Sequence, residues 1–564
     1  MQPSASVKHA GQTAERDAHQ LVGAKRFEVL AAVLVVMFFS SMASTVVSTA
    51  MPNIISDLNG LSLYAWVFTA YMLGAAIVVP IYGKLSDIFG RKPLYVVGIG
   101  LYLIGNIVAG FAQNMEMLVA ARAIAGLGGG GMQALSQITI GDIFTPQERG
   151  RWIGVMMSAF GLASIIGPTV GGWLTDGPGW RWVFWFNIPV GLVALAGLLY
   201  ALPTVRQSRK VSIDYLGIAT LAVGLVPALL AITWLGDNYT WDSPRVLIGF
   251  LLTLLVLPLF VWREFKADDP LVSPALFQNK IFVAAMGASF CLALGMFGSI
   301  MFVPLFVQGV IGNSAQDSGV ILTPMMLSFI VGSFISGQLV SRWGRYRIQA
   351  IVGLVIGALG MFLFSRMSVS TGSDAVIRNM IVLGVGIGST MPLFTIAVQN
   401  AFPYRVLGTV TSARQFFTSL GGVIGVPVMG ALLNSGFSSN FARHLSPGLQ
   451  ALARKPDGLG SLNATTLISA EAQAAIRGRF LQLGPSGPAL YHQFLFAVRD
   501  ALALTMQTLF QVGLVFMIAA VIVSFFLKEI PLRTSHSEPE QAIGVEAADI
   551  SGAPEPVIAP EPQL

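Results

Sequence analysis

A short segment between two long apolar runs carries an unusual density of charge. Residues Gly83–Lys92, the first loop below, hold four charges and two glycines, in a chain of which only 11% is charged. The glycines favour a tight turn between closely spaced helices. A carboxylate such as Asp87 is favoured at a helix N-terminus, and the three cations favour the cytoplasmic side of a membrane. We expect a contact between helices here; a turn that only orients them is the alternative.

An arginine lies inside the fourth apolar run. Arg122 is followed by glycines at 126 and 128–131. A charge inside a membrane helix is expensive and by default indicates function, whereas snorkelling to the outer surface is the alternative. The glycines let a neighbouring helix approach closely. They do not form a phosphate loop, because no strand precedes them and no Gly-Lys-Ser/Thr follows.

The fifth apolar run combines proline with glycine. Gly161 is followed by Gly167-Pro168-Thr169-Val170-Gly171-Gly172. Pro168 removes a helix hydrogen bond and favours a kink, and its neighbours Gly167, Gly171 and Gly172 allow close packing. A bent outer half suits a gate, and a static kink for packing fits equally well.

Composition indicates the class of protein that these segments serve. The 564 residues are 54% hydrophobic, with a mean hydropathy of +0.72, which is far too apolar for a soluble protein of this length. The net charge of +6 is spread over short loops, so we expect no nucleic-acid partner. One cysteine, Cys291, argues against a disulfide framework and most metal sites. The five histidines lie in the tails and one long loop, so we expect neither an enzyme, nor a cofactor, nor a metal.

Apolar runs long enough to cross a bilayer define the architecture. The sequence contains fourteen of them: 28–51, 64–82, 94–111, 117–140, 151–174, 181–201, 214–235, 245–262, 282–306, 318–339, 348–366, 376–398, 408–433 and 500–527. If the N-terminus is cytoplasmic, the six short outer loops contain no Lys or Arg. This asymmetry predicts cytoplasmic termini and an all-α integral membrane protein, multi-pass in a bacterial cytoplasmic membrane.

The runs group into five predicted segments. They are a polar cytoplasmic tail at 1–27, a six-helix bundle at 28–201, a linker with two extra transmembrane helices at 202–281, a second six-helix bundle at 282–533, and a disordered acidic, Pro-rich tail at 534–564. A long outer loop interrupts the second bundle at 434–499, with a short amphipathic helix expected at Ser469–Leu483.

The first loop has a degenerate copy. Gly337–Arg345, the second loop below, reads Gly-Gln-Leu-Val-Ser-Arg-Trp-Gly-Arg and also follows the second span of a six-span block. Duplicated halves are a common plan for transporters, with the substrate between them near the midplane.

These residues together resemble the major facilitator superfamily, in particular its fourteen-span drug:proton antiporter branch. The first loop, Arg122–Gly131 and Gly161–Gly172 match its motifs after span 2 and in spans 4 and 5. Weaker matches are Trp180-Arg181-Trp182, Asn187-Ile188-Pro189, Pro304–Gln308 and Gln415–Gly422. The resemblance covers about residues 28–533.

The resemblance implies a fold, a mechanism and a set of site residues. The fold is two six-helix bundles with two helices inserted between them, which rock around a central cavity. Asp87 and Arg91 match a conformational lock between the bundles on the cytoplasmic side, with Gly83, Gly90 and Lys92 in the same motif. Such a contact biases the equilibrium between the two access states.

The first span departs from that pattern. In relatives of this branch an aspartate, thought to take part in proton coupling, usually stands where this chain has Ala43. Arg122 therefore needs another partner, because an unpaired buried charge is costly. The candidates are helix carbonyls, water, an anionic substrate and polar side chains, namely Ser40, Ser41, Ser44, Thr45, Ser48 and Gln133. Arg414, one or two turns inside span 13, is either a cytoplasmic-side contact or a cavity residue.

Two functions remain open. The first is efflux of hydrophobic drugs or metabolites, antibiotics included, by a monomer coupled to protons, with Met and Phe side chains giving an adaptable cavity surface. The candidates for that surface are Met156, Phe160, Met296, Phe297, Met301 and Met325. The second is transport of organic anions or metabolites, with Arg122 as the counter-ion and unusual or absent proton coupling. A receptor on a transporter scaffold is disfavoured, because a receptor needs no conformational lock.

Overall fold

The structure is a computed structural model of the chain. It describes residues 24–58, 63–203, 214–237, 239, 241–267, 270–300, 302–311, 315–403, 406–445, 449, 477–478, 480–482 and 487–533. The predicted tails, apart from residues 24–27 at the start of the first helix, and most of the predicted amphipathic helix Ser469–Leu483 lie outside these residues.

Every long element in the described part of the chain is a helix. The first half contains α1 (Ala24–Leu58), α2 (Tyr64–Phe89), α3 (Arg91–Gly110), α4 (Met115–Ile143), α5 (Pro146–Asp176), α6 (Trp182–Trp185) and α7 (Asn187–Ala201). The inserted pair is α8 (Tyr215–Asp237) and α9 (Pro244–Lys266). The second half contains α10 (Lys280–Ile300), α11 (Val303–Phe306), α12 (Ala315–Trp343), α13 (Tyr346–Phe364), α14 (Ser373–Ala401), α15 (Leu407–His444) and α16 (Gly487–Ser524). Short 3-10 and π turns stand at Pro274–Gln278 and Val307–Ile311.

The fourteen predicted runs fall on these sixteen helices, with α6 and α7 sharing the sixth run and α10 and α11 sharing the ninth. Among the described residues, eleven helices are long and apolar enough to cross a membrane. The apolar part of α8, Leu216–Ile232, is shorter. The all-helical membrane fold is therefore confirmed, while the count of fourteen spans and the orientation remain predictions.

The two halves meet mainly along two helix pairs. Within each half the helices pack on one another, and across the halves α5 packs against α12 and α2 against α15. The inserted α8 packs on α9, α15 and α2, so the pair lies beside the α2–α15 contact. One end of the bundle holds both loops, and we call it the lock end; by charge it is the predicted cytoplasmic end.

Glycines in α4 set its distance from two neighbours. A Cβ at Gly126 or Gly130 would collide with the backbone of α2 at Tyr71 or Ala75. A Cβ at Gly128 would collide with the backbone of α3 at Gly98. The glycine run therefore brings helix backbones into contact, as the sequence indicates.

The second half differs from the sequence prediction at its far end. The predicted outer loop begins at 434 and the last span at 500, yet α15 continues to His444 and α16 begins at Gly487. Ring contacts hold these extensions together, with centroids 5.8 Å apart for Phe437–Phe441 and for Phe441–Phe494. Apolar run length marks the membrane-spanning part of a helix, and these helices extend beyond it.

Candidate functional site

Asp87 joins the two halves at the lock end. It lies in the last turn of α2, and its Oδ2 accepts the backbone N–H of Thr409 at 2.8 Å and the Thr409 hydroxyl at 3.0 Å. Thr409 is the third residue of α15, so the carboxylate occupies the N-terminus of a helix from the other half. The contact that the sequence indicates is present, and its partner lies 322 positions away.

Arg91 holds Asp87 in place and is held in turn by a second carboxylate. Its Nη1 donates to Oδ1 of Asp87 at 2.7 Å, and its Nε donates to Oδ2 of Asp142 at 2.7 Å. Asp142 lies in the last turn of α4. The sequence does not indicate this role for Asp142, because its position next to α3 depends on tertiary packing.

The two glycines and the lysine of the first loop have separate structural roles. A Cβ at Gly83 would collide with the Ser412 side chain of α15, so only glycine allows this approach. Gly90 has φ = 85° and is the single residue that forms the turn between α2 and α3. Lys92 Nζ donates to the carbonyls of Leu199 and Leu202 at 2.6 and 2.9 Å, where a cation is favoured at the C-terminus of α7.

A buried polar cluster that sequence reasoning did not assemble lies behind the first loop. Gln137 of α4 donates to Gln415 of α15 at 3.1 Å, and Arg414 Nη2 donates to Oε1 of both glutamines at 2.9 and 3.0 Å. Arg149 of α5 donates to the carbonyl of Gln399 in α14 at 3.3 Å. Of the two alternatives for Arg414, the structure favours a contact at the lock end.

The second loop repeats the geometry of the first without its carboxylate. Gly344 has φ = 68° and matches Gly90. Ser341 stands where Asp87 stands in the first loop, and its hydroxyl accepts the backbone N–H of Arg151 in α5 at 3.1 Å. A Cβ at Gly337 would collide with the Gly150 carbonyl of α5. The α12–α5 contact is thus the counterpart of the α2–α15 contact.

Arg122 is buried, with a relative exposure of 1%. Its Nε donates to the Val67 carbonyl at 3.4 Å, and its guanidinium carbon lies 4.4 Å from the centroid of the Tyr71 ring. Among the described residues, its Nη1 and Nη2 have no hydrogen-bond partner. A helix carbonyl is therefore one of the predicted partners, and the Tyr71 face is a partner that the sequence did not indicate.

The predicted polar neighbours of Arg122 have different positions. Gln133 lies 11 residues further along α4, about 16 Å away along the helix axis, which is too far for contact. The hydroxyls of Ser40 and Ser41 donate to the carbonyls of Gly129 and Met37. The side chains of Ser44, Thr45 and Ser48 are not among the side chains that the structure describes.

The glycines of α5 face different neighbours. A Cβ at Gly161 would press on Ile330 and Phe329 of α12, across the interface between the halves. A Cβ at Gly171 would collide with Thr49 of α1, whereas Gly172 faces open space. Helix α5 continues through Gly167 and Pro168 to Asp176, and the Pro168 side chain is outside the described ones. The gate remains a prediction.

The predicted cavity surface falls into two groups. Phe160 of α5 and Phe329 of α12 have ring centroids 6.1 Å apart, and Met156 and Met325 are buried on the same two helices. Met296 and Phe297 lie on α10, where Phe297 packs against Gly422 of α15. Met301 lies outside the described residues. Their joint role as one cavity surface remains a prediction.

Comparison with known proteins gives consistent results. The sequence profile described as Major Facilitator Superfamily matches residues 33–426. The chain is 36% identical over 522 residues to the "Multidrug transporter protein MdtP" of Bacillus subtilis (strain 168), covering 92% of this chain and 96% of that protein. It is 34% identical to "Multidrug resistance protein 3" of the same organism, covering 73% and 80%.

Two solved structures share the fold. The human organic anion transporter MFSD10 has a TM-score of 0.56 at 14% identity, covering 87% of this chain and 99% of that one. The proton:xylose symporter XylE has a TM-score of 0.53 at 15% identity, covering 72% and 94%. At this identity the likeness concerns the fold alone.

Proposed function

The chain belongs to the major facilitator superfamily, and we propose that it exports hydrophobic drugs or metabolites by alternating access, driven by antiport of protons. It is a multi-pass transporter of the cell membrane and not an enzyme. Its relatives named for multidrug transport and resistance support the substrate class.

One observation carries the mechanism. The carboxylate of Asp87 accepts hydrogen bonds from the N-terminus of α15 in the other half, at the end that also holds the Arg414 cluster. Alternating access requires contacts between the halves that hold one end of the protein closed, and these contacts must be few enough to break when that end opens. Polar contacts between two separately packed halves meet that requirement, since each contributes about 1 kcal/mol net and more when charged.

Transport by the purified protein tests the proposal. In proteoliposomes with an imposed pH gradient, we expect movement of a fluorescent lipophilic cation together with a counter-flow of protons. Cation movement without a proton signal would refute antiport and leave export standing. If the protein moves no member of a panel of lipophilic cations and neutral drugs, the proposed substrate class is refuted.

Arg122 supports a second candidate, a carrier of organic anions. Its Nη1 and Nη2 have no hydrogen-bond partner among the described residues, and the first span has Ala43 where the family's carboxylate is expected. A carboxylate or sulfonate on a substrate would satisfy both nitrogens. Anion uptake that Arg122→Ala abolishes, without a proton signal, would replace the leading proposal with this one. Cation export that survives Arg122→Ala would remove this candidate.

A further inference from the structure

The chain beyond the last helix folds back across the lock end. α16 ends at Ser524, and we call residues 528–533 the C-terminal strap. Tyr346, the first residue of α13, donates its hydroxyl to the Lys528 carbonyl at 2.8 Å and accepts the N–H of Ile530 at 3.0 Å. The strap is therefore fixed to the second half at its start.

Asn400 fixes the rest of the strap. Its Nδ2 donates to the Pro531 carbonyl at 3.1 Å, and its Oδ1 accepts the N–H of Arg533 at 3.2 Å. Asn400 is fully buried, so both halves of its amide need partners, and the strap supplies one for each.

The end of the strap reaches the first half. The carbonyl of Arg533 accepts the N–H of Gln147 at 3.2 Å. Gln147 is the second residue of α5, whose N–H has no carbonyl to bond within its own helix. The strap thus joins Asn400 of the second half to the N-terminus of α5 in the first.

The two halves treat matching positions differently. Asp142 and Asn400 are each the last residue but one of the helix before the interface helix, α4 before α5 and α14 before α15. In the first half, Asp142 and Asp87 share Arg91. In the second half, Ser341 and Asn400 stand in those two places, so neither position carries a charge.

We propose that the C-terminal strap takes the place of this missing ion pair. It holds the lock end closed and detaches when that end opens, and Asn400 is its positioning residue. The proposal rests on the alternating access proposed above. The strap borders an open cleft of about 440 Å³ that is lined by Glu529–Leu532, the residues Ser341–Arg345 and Gln147. Because the strap is held by hydrogen bonds to its backbone and borders a cleft, it can detach while the helices stay packed.

Two truncations of the full chain test the strap. The first removes residues 531–564, and with them the bonds to Asn400 and Gln147, while the bonds to Tyr346 stay. The matched control removes only 534–564 and keeps the whole strap. Spin labels replace Pro93 and Ile348, which are exposed near the starts of α3 and α13, in a Cys291→Ser background. Their distance distribution reports how far the two halves separate at the lock end.

We expect the ratio of open to closed lock ends to rise about fivefold to tenfold in the shorter chain, and to stay unchanged in the control, since the hydrogen bond from Gln147 to Arg533, which joins the halves, is lost. Identical distance distributions in the two truncations would overturn the proposal. If the shorter chain does not fold, full-length Asn400→Ala replaces it, with exposed Arg366→Ala as control. We expect the same direction of shift, and an unchanged distribution would again overturn it.

The readout separates this proposal from the function. Distances are measured without substrate or gradient, so a failure to transport drugs would refute the proposed function and leave the strap result intact. Conversely, a chain that transports drugs and shows no strap-dependent shift would refute the strap alone.

Discussion

A single carboxylate connects three helices at the lock end. Oδ1 of Asp87 accepts from Arg91 at the start of α3, while its Oδ2 accepts from Thr409 at the start of α15. Both helix N-termini favour a negative charge. The position therefore needs an ionised acid, and a neutral amide of the same size keeps the shape but loses the charge.

Asp87→Asn tests this need for charge. We expect the closed lock end to lose about 1–3 kcal/mol, because charge-assisted hydrogen bonds become neutral ones. The distance between labels at Pro93 and Ile348 should lengthen, and transport should fall. Glu28→Gln is the matched control, because Glu28 is an exposed acid near the start of α1. An unchanged distance distribution in Asp87→Asn would show that the charge is dispensable.

Arg122 represents the opposite case, a charge that costs stability. Two of its nitrogens lack partners among the described residues, and its ring contact with Tyr71 offsets only part of the desolvation. We expect Arg122→Met to stabilise the protein by about 1–2 kcal/mol and to abolish transport. Thermal unfolding in detergent measures the first effect and proteoliposome flux the second. Exposed Arg366→Met should change neither; a destabilised Arg122→Met would show that the guanidinium is structurally required.

The sequence predicted local features of the site better than its partners. The first loop's turn, charge and preference for a helix N-terminus are all encoded within ten residues. The partner Thr409 and the contact between Arg149 and Gln399 depend on how the two halves pack, and the partner Asp142 depends on how α4 packs beside α3 within the first half. No periodicity within either helix indicates a contact between residues 250 or more positions apart.

At the scale of elements, the two loops are unequal copies. Both turn on a glycine in the left-handed region, at φ = 85° for Gly90 and 68° for Gly344. Only the first copy places an acid against the opposing helix, since Ser341 offers a hydroxyl to Arg151 where Asp87 offers a carboxylate to Thr409. The second contact is therefore the weaker one.

Ser341→Asp should strengthen the second contact. A carboxylate there can accept the N–H of Arg151 with charge assistance, which we expect to favour the closed lock end by about 1 kcal/mol. Transport should slow, because the closed end must open in each cycle. Ser341→Ala, which removes the acceptor, should shift the same label distance the other way. Equal distances in the two variants would contradict the inequality of the loops.

At the scale of the whole molecule, glycines at the interface set how closely the halves approach, four of them as follows. Gly83 lies against α15, and Gly150, Gly154 and Gly337 lie in the α5–α12 contact. In each case a Cβ would press on an atom of the opposing half, so the closed lock end tolerates no side chain there. Close packing of backbones and polar bonds thus act together.

Gly337→Ala tests this geometric limit. Its Cβ would collide with the carbonyl of Gly150, so we expect the halves to separate at the lock end and the open state to gain about 1–3 kcal/mol. Gly100→Ala in α3 is the control, because nothing lies within 4 Å of a Cβ at that position. The spin-label distance distinguishes them. A Gly337→Ala protein with the wild-type distance would show that the interface yields elsewhere.

The cap that Lys92 places on α7 has a mechanical consequence for the inserted pair. Through Leu199 and Leu202 it clamps the chain to the first half at the point where it leaves for α8. Helix α8 nevertheless lies against α15 of the second half. If the halves rock as proposed, α8 cannot keep both its α2 and its α15 contacts unchanged, so one of these two faces has to slide.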